Sequence, residues 1–113
     1  ASRGVLRWIL ADPALAPQEV AGGPIFPLES PAGVWVDPQA LYLFVTDAEQ
    51  HVLAAIPLAE GAQAAAGVVA GTPGAAGGGF LDFWDPAGVT GVEDGDTFWL
   101  FVADRRNHRV LMH

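Results

Sequence analysis

Short apolar runs alternate with turn-forming residues along the whole chain. They cover residues 5–10, 33–36, 41–46, 52–56, 67–70, 88–92, 98–103 and 110–112, with a weaker run near 19–21. Each is only a few residues long and most are bounded by Gly, Pro, Asn or Asp, which predicts β-strands. No useful stretch sustains a 3.6-residue apolar period. Residues 59–67 contain glycines and carry no amphipathic stripe, so they read as a loop. Residues 71–79 have the Gly/Ala composition of a flexible linker. Glu93-Asp94-Gly95-Asp96 carries an Asp-Gly hairpin signal, with Asp37-Pro38-Gln39-Ala40 at the matching place earlier in the chain. The expected fold class is all-β.

The runs 41–45 and 98–102 are apolar throughout instead of alternating. A strand with one wet face alternates, whereas an unbroken run is covered on both faces. A two-layer sandwich exposes one face of each sheet. Sheets stacked face to face in series satisfy the pattern better.

The same phrases occur twice. Pro31-Ala32-Gly33-Val34 returns as Pro86-Ala87-Gly88-Val89, and Asp47-Ala48-Glu49-Gln50-His51 as Asp104-Arg105-Arg106-Asn107-His108. Val20-Ala21-Gly22 returns as Val69-Ala70-Gly71, and Val5-Leu6 corresponds to Leu53-Ala54 and to Val110-Leu111. A period of about 50 residues marks a repeat architecture, in which one unit cannot bury its own core. The divisions expected are the end of a preceding unit over 1–23, one repeat over 24–72, and a second over 73–113, incomplete at its C-terminal end.

These residues resemble NHL repeats, whose pattern runs Pro-x-Gly-Val-x-Val-Asp, then Leu-Tyr-Val-x-Asp, then Asn-His-Arg-Val. The second copy matches at Pro86, Gly88, Val89, Val92, Val102, Asp104, Asn107, His108, Arg109 and Val110. The first matches at Pro31, Gly33, Val34, Val36, Asp37, Leu41, Tyr42, Val45, Asp47 and His51, and departs at Gln50 and Val52. The resemblance implies β-propeller blades, each a four-stranded antiparallel sheet, in a ring of roughly six. The chain would hold about two blades and an additional strand. The remaining blades would come from a longer chain or from self-association. The implied function is a non-catalytic interaction scaffold that binds a protein or peptide through its inter-strand loops. The alternatives are a piece of a propeller enzyme, of metal-dependent lyase or hydrolase type, and an RNA-binding propeller.

Charge and composition narrow these options. The net charge of −8 argues against a nucleic-acid partner, because such affinity rests on neutralising phosphates. No apolar stretch approaches the roughly 20 residues that span a bilayer. The absence of cysteine removes disulfide and thiolate chemistry and leaves the compartment open. The first residue is Ala1, without an initiator methionine, which suggests a processed or excerpted chain.

His51 and His108 occur singly, one per repeat, where zinc needs three or four converging ligands. They read as structural residues of the repeat, together with Pro31, Gly33, Asp47, Pro86, Gly88, Asp104, Asn107 and Arg109. Asp47 and Asp104 are expected to accept backbone N–H groups at strand ends. Glu93, Asp94 and Asp96 lack the spacing of a calcium loop. Asp82 and Asp85 read as solvated loop carboxylates. Trp8, Trp35 and Trp99 lie in strands and are expected between blades. Trp84 lies in a connector and is the best exposed aromatic. Arg105 and Arg106 sit on a turn, where an acidic partner would meet them. Trp84, Asp85, Arg105 and Arg106 are therefore the candidate binding residues. No catalytic residue, metal site or cofactor is indicated.

Overall fold

The computed structural model describes residues 27–59, 65–79 and 81–112 in full, and residues 4–7 and 18–22 as backbone. Trp8, Phe80, His113 and residues 60–64 of the expected loop lie outside the described residues. Among the described residues, nine strands form three antiparallel sheets. Strand β1 (Gly4–Arg7) pairs with β2 (Gln18–Gly22). A four-stranded meander follows: β3 (Pro31–Val36), β4 (Tyr42–Asp47), β5 (Val52–Pro57) and β6 (Gly67–Gly71). The third sheet is a meander of β7 (Pro86–Asp94), β8 (Thr97–Asp104) and β9 (Arg109–Met112). A 3-10 turn, Arg105–Asn107, joins β8 to β9. The chain is all-β, and among the described residues no helix is long and apolar enough to cross a membrane.

The sheets share one register. Pro31 faces Asp47 and Val34 faces Val45 in β3–β4, while Pro86 faces Asp104 and Val89 faces Val102 in β7–β8. Both pairings slip just after the proline. At the next turn, Asp47 faces Val52 and Asp104 faces Arg109. The β1–β2 pair repeats β5–β6 in the same way. Gly4 faces Gly22 and Val5 faces Ala21, as Val52 faces Gly71 and Leu53 faces Ala70, and each register shifts at the following residue. An extra residue in one strand re-aims the chain and strengthens its twist. Keeping that irregularity at one position gives sheets of matching shape that can stack.

The stacking explains the unbroken apolar run of β4. Leu43 and Val45 pack on one face with Ala54, Ile56 and Leu28. Phe44 points to the other face, where it meets Leu53, Ala70, Phe83, Leu100 and Val102. This second cluster is the contact between the four- and three-stranded sheets. Trp35, Phe44 and Phe98 extend it as an aromatic triad, with ring centroids 5.7–6.0 Å apart.

Backbone approaches backbone at Gly33. A Cβ there would stand 2.5 Å from the Ala87 carbonyl oxygen and 2.9 Å from the Gly88 Cα. Glycine in a strand commonly marks such a close approach. Beside it, the Trp35 indole covers Gly91, and Thr46 crosses between sheets, its hydroxyl donating to the Ala87 carbonyl at 2.8 Å. Gly33→Ala is expected to cost about 1–3 kcal/mol, because the atoms it meets belong to backbone and cannot rotate away. The urea midpoint should fall with an unchanged slope. An unaltered midpoint would mean that the sheets do not meet there.

Trp99 lies on the outer face of the last sheet and not between the two packed sheets, and two other expectations need correction. Leu100 and Val102 take the inward face of β8, so strand alternation turns Trp99 and Phe101 outward, beside the exposed Val110 and Met112. The hairpin loop is Gly95-Asp96 instead of Asp94-Gly95, because Asp94 pairs with Thr97. Gly95 then supplies positive φ (64°) at the first central position, as a II′-like turn requires. Finally, the segment 71–79 is held at several points. Gly74 N–H donates to the Gln50 carbonyl and Gly77 N–H to that of Phe83, while Thr72 and Ala75 form a bridge.

Candidate functional site

One carboxylate organises the loop end of each packed sheet. Asp47 is fully buried at the end of β4. Its Oδ2 accepts the Glu29 N–H at 2.8 Å and its Oδ1 the Ser30 N–H at 3.0 Å. It also accepts the N–H groups of Glu49 and Gln50 in its own turn, and the Gln50 amide. Asp104 does the equivalent work at the end of β8. Its Oδ1 accepts the Trp84 N–H at 2.6 Å, and its Oδ2 accepts Asn107 Nδ2 at 2.8 Å and Arg109 Nε at 2.9 Å. Each carboxylate thus ties the segment entering its sheet to the turn between the second and third strands. Charge-assisted bonds of this kind are strong, and burial lowers competition from water.

Arg109 and Asn107 extend the second clamp. Arg109 donates to the carbonyls of Gly78, Gly79 and Asp82, and Asn107 to that of Gly77. Four carbonyls of the connector are held this way. Val52 stands where Arg109 stands in the later sheet and offers no such donors. His51 and His108 each close their turn in the left-handed region, at φ 61° and 53°. Residues other than glycine adopt that conformation uncommonly, and histidine is among the types enriched there. His51 has a second task. Its Nδ1 accepts the Asp85 N–H at 2.9 Å, which places its proton on Nε2 and links one sheet's turn to the next sheet's entry segment. Pro31 and Pro86 open β3 and β7 beside these clamps, and Gly88 lies against Gly33.

The four candidate binding residues converge. Trp84, Asp85, Arg105 and Arg106, with His108, line an open cleft of about 610 Å³. A second depression of about 350 Å³ shares those four and continues to Ser30, Ala48, Glu49 and His51 of the neighbouring sheet. The groove therefore runs across the loop ends of two sheets. Asp85 is not a solvated carboxylate, since its side chain is only 13% exposed. Its Oδ2 accepts Arg105 Nη2 at 2.5 Å and Arg105 Nε at 3.1 Å, and Arg106 Nε at 3.2 Å. Partial burial pushes the Asp85 carboxyl up, but the two guanidinium groups outweigh it and hold its pKa below the ordinary value.

Asp85 also carries φ 60°, whereas its counterpart Ser30 is not in the left-handed region. Trp84 is 43% exposed, and the Arg105 and Arg106 side chains are 63% and 62% exposed. Among the described residues, no group of three or more His, Asp or Glu side chains could hold a metal ion. Sequence reading missed the Asp85–arginine pairing and the His51 bond. Both join residues 20 or more positions apart, and neither repeats among the described residues. No protein-family model matches this chain, and no curated protein is significantly similar to it.

Proposed function

We propose that the chain is an array of NHL-type propeller blades that serves as a non-catalytic protein-interaction scaffold, with the Trp84–Arg106 groove as its binding surface. The common register of the sheets, their recurring irregularity and their face-to-face stacking support the blade reading. So does the outward face of the last sheet. Its Trp99, Phe101 and Val110 correspond by position to Tyr42, Phe44 and Leu53, and Phe44 and Leu53 are the residues covered by the following sheet. A further blade stacked on β8 and β9 would cover that face in the same way.

The observation that carries the binding role is the contrast between the two loop ends. The clamp is shared, built on Asp47 with Gln50 and on Asp104 with Asn107. The side chains around it are not shared. Glu29, Ser30, Ala48 and Glu49 of the first repeat stand where Trp84, Asp85, Arg105 and Arg106 stand in the second. A rigid frame that presents differing loop residues is how folds commonly carry recognition. The test is selection of random displayed dodecapeptides on the immobilised chain, with binders then challenged on Trp84→Ala. Sequences that bind the parent and weaken on the variant are expected. Binders indifferent to Trp84, or none at all, would remove the groove as the interaction surface.

A further inference from the structure

We infer that the Trp84–Arg106 groove recognises a peptide carrying an acidic side chain beside an apolar one, the carboxylate seating on the paired guanidinium groups of Arg105 and Arg106. This rests on the reading of the groove as a protein-interaction surface and adds the chemistry of its partner.

Asp85 engages Arg105 through Nε and Nη2, and Arg106 through Nε alone. All three bonds end on one oxygen, Oδ2. Among the described residues, Arg105 Nη1 and both terminal nitrogens of Arg106 have no acceptor. Guanidinium nitrogens are donors only, and their fork matches a carboxylate in two parallel bonds. Asp85 therefore acts as a positioning residue. It fixes two long side chains at the rim of the groove, which lowers the ordering cost of binding.

Charge agrees with this geometry. Arg105, Arg106 and Asp85 sum to a local excess of one positive charge in a chain of net −8. That excess suits a single carboxylate better than a dianionic phosphate, which the surrounding field repels more strongly.

The exposed face of Trp84 supplies the apolar contact. Tryptophan and arginine are enriched among residues that dominate binding energy. At the equivalent loop of the preceding sheet, Ala48 and Glu49 replace the arginines and Glu29 replaces the tryptophan, so the feature is not a requirement of the repeat. The left-handed backbone at Asp85, absent at Ser30, is a further difference between the two loop ends. Departures of that kind concentrate at binding sites.

The experiment uses the whole chain and the displayed dodecapeptide library. Selected peptides should be enriched in Asp or Glu next to an aromatic or aliphatic residue. In synthetic form, exchanging the acidic residue for its amide should weaken binding about ten-fold, as should Arg105→Ala with Arg106→Ala in the protein. The peptide exchange leaves the protein untouched, so a folding defect cannot imitate the result. Binders that need Trp84 but tolerate the acid-to-amide exchange would overturn the carboxylate assignment and leave the interaction surface standing. Binders that ignore both Trp84 and the arginines would overturn both.

Discussion

Asp104→Ala is expected to destabilise the chain by about 3–5 kcal/mol, the range for removing one partner of a buried ion pair. The carboxylate is fully buried and joins three separate segments: the Trp84 backbone before β7, Asn107 in the 3-10 turn, and Arg109 at the start of β9. Its removal leaves the Trp84 N–H without that acceptor and the guanidinium without its counter-charge. The connector should loosen together with the turn, since Arg109 also holds the Gly78, Gly79 and Asp82 carbonyls. Asp104→Asn should help little. Its amide N–H₂ would oppose one of the donors that the carboxylate now satisfies. Urea unfolding followed by circular dichroism measures the loss. A shift of less than about 1 kcal/mol, within the range of an exposed pair, would mean that the clamp is not a stabilising centre.

The second large effect is expected at Phe83. Phe83→Ala should cost about 3–5 kcal/mol, from lost burial and from the cavity left behind. The ring is fully buried, although it arises from a connector and not a strand. It enters the contact between the packed sheets beside Phe44, Leu53, Leu100 and Val102. Gly71 leaves room for it, since a Cβ there would stand 3.0 Å from the ring. Leu81, two residues earlier and exposed, provides the comparison; Leu81→Ala should change stability by no more than about 0.5 kcal/mol. Equal losses at the two positions would show that Phe83 does not wedge the sheets together.

The contrast between Phe83 and its neighbours shows where the sequence stops being informative. The strands were legible, because runs such as 41–46 and 98–103 are both apolar and bounded by turns. Burial of β4 on two faces was legible for the same reason. Within the Phe-Leu-Asp-Phe-Trp connector, local pattern cannot select which aromatic goes inside. That choice follows from a gap between two sheets assembled from distant strands. The segment 71–79 reads as a linker by composition, yet Asn107 and Arg109 hold its carbonyls from about thirty residues away. At the candidate site, residue types gave the cationic pair and the half-exposed indole. They gave neither the shared oxygen of Asp85 nor the imidazole bond that reaches it from the neighbouring sheet.

Toward the segment that enters each sheet, the clamps read backbone and not side chains. Asp47 takes the N–H groups of Glu29 and Ser30, and Asp104 takes that of Trp84. An amide N–H is the same whatever residue carries it. The positions around each clamp can therefore be rewritten without disturbing what holds the loop in place. In this chain one loop end carries Glu29 with Glu49 and the other Trp84 with Arg106, on the same anchor. The loop behaves as an exchangeable cassette, in which a new specificity can arise by substitution while the frame keeps its stability. Transplanting Trp84, Asp85, Arg105 and Arg106 onto the first loop end would move the proposed recognition chemistry from one sheet to the other.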